Sequence, residues 1–214
     1  VFDGGDLELV FGNPAKALDS ITAYTRELLE DGKLPCMIGG EHLVTLGAVR
    51  AVAQKYPDLH MVHFDAHADL RDDYLGEKLS HATVIRRVWD LVGDGKIFQF
   101  GIRSGERSEF DFAKAHTAMN KFNFDGLEQV AEKLMGKPVY LTIDLDVLDS
   151  SVFPGTGTPE AGGVTFNELL SAMQKLRGLD IVACDVNELS PMLDASGDST
   201  AVACKVLREL LLML

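Results

Sequence analysis

Apolar positions along the chain fall into two alternating rhythms. Near-continuous apolar runs occur at "PCMIGG" (35–40), "LHMVHFDAH" (59–67), "KIFQFGIRS" (96–104), "PVYLTIDLDV" (138–147) and "IVACDVNEL" (181–189), with a weaker one at "AMNKFN" (118–123). Such runs suit strands buried on both faces. Between them, residues 14–31, 43–55, 81–92, 107–115, 124–135, 165–177 and 198–213 carry the i, i+3/i+4 spacing of amphipathic helices. The alternation predicts an α/β fold of three layers, α/β/α, with a mostly parallel sheet in the middle. No internal repeat, low-complexity stretch or linker interrupts it, so residues 1–214 read as one domain.

The polar residues then stand out by position. Glu41 and His42 follow the first run; Asp65, His67 and Asp69 close the second; Asp144 and Asp146 close the run at 138–147; Asp185 and Glu188 close the last. Alternate residues of an extended chain share a face, about 6.6–7 Å apart. Asp-x-His-x-Asp and Asp-x-Asp therefore aim carboxylates and imidazoles in one direction, with no cation beside them. Open parallel sheets form their ligand sites beyond the carboxyl ends of the strands. Four strands deliver acids and imidazoles to that one edge.

Such a cluster repels itself unless something positive lies within it. His42, Asp65, His67, Asp69, Asp144 and Asp146 supply four carboxylates and two imidazoles, and no thiolate. That donor set suits a harder divalent ion such as manganese better than a structural zinc. Six ligands exceed what one catalytic ion with an open position needs, and suit two ions about 3.5–4 Å apart. Any single aspartate here could equally cap a strand, but the repeated pattern argues for metal. His63 shares the ligands' parity yet lies deeper in its strand, which fits a hydrogen-bonded core histidine. His60 and His116 lack a motif and are expected at the periphery. Arg103 reads as structural, and the Gly/Pro-rich "PGTGTPEAGG" (154–163) as a rigid loop beside the pocket.

Composition narrows the partners. The chain has 214 residues, 46% hydrophobic, with net charge -13 and pI near 4.8. No basic run or face suggests nucleic acid or an anionic membrane surface as a partner. No apolar run approaches the roughly 20 residues a membrane span needs, and no targeting segment is visible. Cys36, Cys184 and Cys204 are odd in number and sit in apolar contexts. They read as buried free thiols of a cytoplasmic protein.

Taken in order, "GGEH", "HFDAHADLR", "LSHAT", "TIDLDVLD", "PGTGTPEAGG" and "DVNELSP" resemble the ureohydrolases, the arginase and agmatinase family, over essentially the whole chain, and bacterial agmatinases most closely. The resemblance implies an arginase-like fold and a binuclear manganese centre that hydrolyses a guanidinium group to urea. It implies one manganese on His42, Asp65, Asp69 and Asp144. The second would take Asp65, His67, Asp144 and Asp146, with Asp65 and Asp144 bridging. Asp69 would also move a proton, His81 would shuttle protons and Glu188 would grip the guanidinium. Asp149 and Asp185 match recurring acids that are not ligands. Family members are typically trimers or hexamers, and carry a further strand and helix before the point corresponding to Val1.

The same resemblance bears on the substrate. Arginases hold the amino-acid head of arginine with Asn and Ser after their Asp-x-His-x-Asp motif. Here the region reads "ADLRDDYLGEKLSHAT", with Arg71 in place of Asn. Agmatine, giving putrescine and urea, is the expected substrate. Asp72, Asp73 and Glu77 are candidates for its amine tail, though a solvated loop explains them as well. Guanidinobutyrate, whose carboxylate Arg71 would meet, is the competitor, and arginine or a non-catalytic metal-binding role the remaining alternatives.

Overall fold

The computed structural model describes residues 1–214. Six strands form one sheet: β1 (Cys36–Ile38), β2 (His60–Phe64), β3 (Ile97–Ile102), β4 (Ala118–Lys121), β5 (Pro138–Asp144) and β6 (Asp180–Asn187). Their order is β1-β6-β5-β2-β3-β4, and every pairing is parallel. Seven helices flank it: α1 (Pro14–Glu30), α2 (Val44–Lys55), α3 (Val84–Val92), α4 (Arg107–His116), α5 (Leu127–Leu134), α6 (Phe166–Lys175) and α7 (Asp198–Met213). Strand parity sorts the core into two. Val62, Phe64, Leu141 and Ile143 face α5, α6 and α7. Met61, Ile97, Tyr140 and Val182 face α1, α2 and α3. The result is the three-layer α/β/α arrangement expected, with the sheet parallel throughout.

Local chemistry sets the helix starts. Asn13 caps α1 by accepting the Lys16 N–H at 3.1 Å, with Pro14 opening the helix. Thr165 and Glu168 close a reciprocal capping box on α6.

The strands are shorter than the apolar runs predict, always at their carboxyl ends. In the run 59–67 the strand ends at Phe64, with one isolated bridge beyond it between His67 and Ser104, and 138–147 gives way after Asp144 to a 3-10 turn over Leu145–Val147. Likewise the helical spacing at 81–92 begins as a 3-10 turn, His81–Thr83, before α3. Asp65, His67, Asp69, Asp146 and Glu188 all lie just beyond these strand ends.

β2 and β5 are neighbours in the sheet although 78 residues separate His60 from Pro138. From β2 the chain proceeds to β3 and β4 in one direction, and from β5 to β6 in the other. Strand order thus reverses between β2 and β5, and connections leaving this point diverge and open a crevice. Gly101 lets the two loops close in: its φ is +87°, and a Cβ there would lie 2.6 Å from Val147 Cγ2 and 3.0 Å from the Asp65 carbonyl oxygen.

The thiols depart from expectation. Cys184 is buried, but Cys36 is only partly so and Cys204, on α7, is exposed. An apolar context along a helix does not say which face a residue takes. No helix is long and apolar enough to cross a membrane.

Candidate active site

The crevice between the β2 and β5 loops is where the predicted ligands meet. His42 Nδ1 lies 3.1 Å from Asp65 Oδ2, 3.2 Å from Asp69 Oδ2 and 3.3 Å from Asp144 Oδ2. Beside this group, His67 Nδ1 lies 2.9 Å from Asp146 Oδ2 and 3.5 Å from Asp65 Oδ1. Asp65 therefore offers one oxygen to each group. Asp144 joins the first through Oδ2, and its Oδ1 accepts the Asp146 N–H at 2.9 Å. The other carboxylates are anchored in the same manner: Asp65 Oδ1 by the His67 N–H and Asp146 Oδ1 by the Ala66 N–H.

These contacts are close enough for hydrogen bonds but lack their geometry. His42 Nδ1 and Asp146 Oδ2 are both buried, and neither makes a hydrogen bond despite such close neighbours. Coordination distances of about 2.0–2.2 Å place adjacent ligand atoms of one ion about 3 Å apart. Two groups of atoms at this spacing, sharing Asp65, fit a pair of divalent cations.

The opposite nitrogen of His42 explains its orientation. His42 Nε2 is 2.9 Å from Thr142 Oγ1. Near it, Asp185 is fully buried and accepts from Tyr140 (2.5 Å), Thr45 (2.8 Å) and Asn187 (2.7 Å). A proton on Nε2 then leaves the Nδ1 lone pair turned to the cluster, as metal-ligating imidazoles require. His63 behaves differently. Gln99 Nε2 donates to its Nδ1 at 3.1 Å, and its own Nε2 is 2.7 Å from Asp65 Oδ2. Both ring nitrogens are committed, so His63 steers Asp65 instead of offering a free lone pair.

Charge within the cluster is unbalanced. Burial pulls the His67 pKa down, but Asp146 and Asp65 overcome it and hold it up at about 12. His42 is likewise raised well above its ordinary value by Asp144, Asp65 and Asp69 against burial. Burial and then the Asp65 charge push Asp69 up to about 7; burial, Asp146 and Asp65 push Asp144 well above the carboxylate range. Asp65 goes the other way, held well below by His63 and His42 against burial. The carboxylates thus hold both imidazoles protonated, a demand for positive charge that bound cations would meet instead.

Two residues of this edge sit in strained backbone. Asp69 has φ +54° and Glu188 +66°, a left-handed conformation that side chains disfavour. At Glu188 it turns the carboxylate back across the end of β6, so that Oε1 accepts the His42 N–H at 2.7 Å. Burial raises the Glu188 pKa, partly offset by that N–H.

A cavity of about 280 Å³ opens over the cluster, lined by His42, Asp69 and Asp144 at its floor and by Glu188, His81 and Glu160 among its walls. His81 is half-exposed, with Nδ1 3.4 Å from Glu41 Oε2, and Glu41 raises its pKa. Arg71 lines the cavity too, but its guanidinium is taken by Glu106 (3.3 Å) and Glu109 (3.4 Å). Asp72, Asp73 and Glu77 are exposed and outside it; Asp72 pairs with Arg87 at 2.9 Å. Glu160, which the sequence did not single out within 154–163, lies inside. Its backbone carbonyl accepts from Arg103 at 2.9 Å, and Arg103 also donates to the carbonyls of Gly101, Asp146, Val147 and Leu148. Asp149 ties the far end of the loop through the Gly162 and Gly163 N–H groups. His60 and His116 are remote from the cavity, bonded to the Asp58 carbonyl and to Asp94.

A family model described as Arginase family matches residues 1–213. The agmatinase of Bacillus anthracis is 49% identical, over 99% of this chain and 74% of its own length. The guanidinobutyrase of Pseudomonas aeruginosa is 34% identical, over 100% of this chain and 71% of its own. A solved structure from Clostridium difficile, of a candidate agmatinase, superposes with a TM-score of 0.96 at 54% identity, covering 99% of this chain and 78% of that one. With matches of this extent on top of the shared strand-end ligand pattern, the chain belongs to the arginase family.

Proposed function

We propose that this chain is a binuclear manganese ureohydrolase that cleaves agmatine to putrescine and urea. The observation that carries the reading is one cavity holding a two-group carboxylate and imidazole cluster with a carboxylate, Glu188, at its wall. His42, Asp65, Asp69 and Asp144 are the residues for one ion; Asp65, His67, Asp144 and Asp146 are those for the other. Two such cations would supply a water acidic enough to act as hydroxide at neutral pH.

The chain's own groups do the rest. Glu188 holds the guanidinium by accepting charge-assisted hydrogen bonds from its N–H groups at Oε2 and at the remaining lone pair of Oε1, turning the carbon toward the cluster. This placement matters because resonance makes a guanidinium a poor electrophile. Asp69, at the floor of the cavity, takes up a proton as the nucleophile adds and returns it to the departing amine. His81, paired with Glu41, exchanges protons between the cavity and solvent.

Agmatine is favoured over an acid because the cavity offers no free cation. An α- or terminal carboxylate would meet Arg71 only in competition with Glu106 and Glu109, and desolvating it unpaired costs several kcal/mol, roughly. Loading the protein with manganese and comparing urea release from agmatine, arginine and guanidinobutyrate tests the assignment. Agmatine is expected to lead arginine at least a hundredfold in kcat/KM. A preference for either acid overturns the substrate; no urea from any of them overturns the chemistry.

A further inference from the structure

The cavity carries one acidic side chain that neither the ligand cluster nor the guanidinium grip uses. Glu160 lines the wall. Its side chain is 42% exposed, and its carboxylate accepts no hydrogen bond and has no Lys or Arg within ion-pair distance. Its one charged neighbour is His67, with Nε2 3.9 Å from Oε1. The other charges on the wall are already matched: Arg71 to Glu106 and Glu109, Glu109 also to the Leu70 and Glu106 N–H groups, and His81 to Glu41. Glu160 is thus an open carboxylate facing a bounded, largely acidic space.

We propose that the Glu160 carboxylate receives the cationic far end of the substrate, and so selects guanidines with an amine tail over those with a neutral or acidic tail. The inference rests on the guanidinium hydrolysis proposed above and names the part of the chain that reads the rest of the molecule.

Reach is consistent with this. In extended agmatine, six bonds separate the guanidinium carbon from the ammonium nitrogen, roughly 7.5 Å. His67 turns Nδ1 to the ligand cluster and Nε2 to Glu160, so one imidazole ring and a 3.9 Å gap lie between the cluster and this carboxylate. That separation is on the order of the tail's length. Position is also fixed. Arg103 holds the Glu160 carbonyl at 2.9 Å while gripping the Asp146 carbonyl at 2.7 Å, so the loop carrying Glu160 is fastened to the turn carrying a ligand. Charge decides the sign: an ammonium gains a partner at Glu160, and a carboxylate meets like charge.

One other role for the same contact must be separated by experiment. A carboxylate beside Nε2 of a ligating histidine can orient that histidine. The test compares Glu160→Gln and Glu160→Arg with the unaltered protein, all loaded with manganese. Agmatine, n-butylguanidine (the same four-carbon chain without the ammonium) and guanidinobutyrate serve as substrates, and bound metal is measured in parallel. The expected result for Glu160→Gln is a fall of at least twentyfold in the kcat/KM ratio of agmatine to butylguanidine, carried by KM, with metal content retained. Calorimetry should show a matching loss of affinity for butane-1,4-diamine. Glu160→Arg should raise the ratio of guanidinobutyrate to agmatine at least a hundredfold. If the agmatine to butylguanidine ratio stays within threefold, the tail contact is wrong. If all substrates fall together as metal is lost, Glu160 orients His67 instead, and the proposal is overturned. Absence of urea from every substrate with the unaltered protein would defeat the hydrolase reading itself, whereas diamine binding that depends on Glu160 would still stand.

Discussion

Thr142→Val isolates the link that aims His42 at the metal site. Thr142 is fully buried, and its hydroxyl partners His42 Nε2 at 2.9 Å. Valine keeps the shape and removes only that hydroxyl. Asp185 retains Tyr140, Thr45 and Asn187 as donors, so the loss falls mainly on His42, whose Nε2–H is left unpartnered in the interior. An unsatisfied buried donor costs about 1–3 kcal/mol. The partner of a ligating histidine is worth about 10–100-fold in metal affinity, or roughly 1.4–2.7 kcal/mol. Both effects are expected together: a lower melting temperature of the metal-free protein and manganese affinity weakened within that range, read by calorimetric titration. Thr45→Val is the control, since it removes one donor to Asp185 without touching His42. It should cost stability with little loss of affinity. Wild-type manganese affinity in Thr142→Val, or equal weakening by Thr45→Val, would refute the reasoning.

Three further outcomes follow from the site. His67 is held at about 12 against an ordinary 6.5, and Asp69 at about 7 against 3.8. In both cases the folded, metal-free chain binds its proton more tightly than the unfolded chain. Their contribution is full below the unfolded values and is lost as pH rises, through about 4–7 for Asp69 and from about 6.5 upward for His67. Metal binding needs both groups deprotonated, so the melting-temperature gain on adding manganese should grow from about pH 6 to pH 8; a constant or shrinking gain contradicts this. Glu188→Gln should lower kcat at least a hundredfold while metal analysis still finds both ions, and retained turnover would remove Glu188 from its role. Asp65→Ala should lose more than one metal equivalent, because Asp65 alone offers an oxygen to each group at the recorded distances; Asp146→Ala should lose about one, and equal losses from the two variants would contradict the shared oxygen pair.

Much of this architecture is legible along the chain because its causes are local in sequence. Continuous apolar runs specify buried parallel strands, and period-two acids after them specify one edge. What sequence does not carry is register across the sheet. Thr142 reaches His42, and Gln99 reaches His63, only because β5 and β3 lie where pairing puts them. The acid facing the cavity is a similar case. Asp72, Asp73 and Glu77 follow the metal motif in sequence yet point to solvent, while Glu160 arrives through a loop whose path depends on Arg103 and Asp149. The apolar runs overshoot the strand ends for a physical reason as well: residues after Phe64 and Asp144 exchange ladder hydrogen bonds for bonds to carboxylates. Cys204 shows the limit of composition, since an apolar neighbourhood in a helix leaves its facing undetermined.

The left-handed backbone at Asp69 and Glu188 sets foldability against activity at these two positions. A side chain in that conformation costs about 1–2 kcal/mol, which glycine avoids and asparagine reduces. Asp69→Asn would also remove a charge from a crowded acidic interior. Substitutions that relieve this backbone strain therefore favour the metal-free chain even as they disable the site. A library of this protein sorted only by thermal resistance would accumulate inert variants at these two positions first.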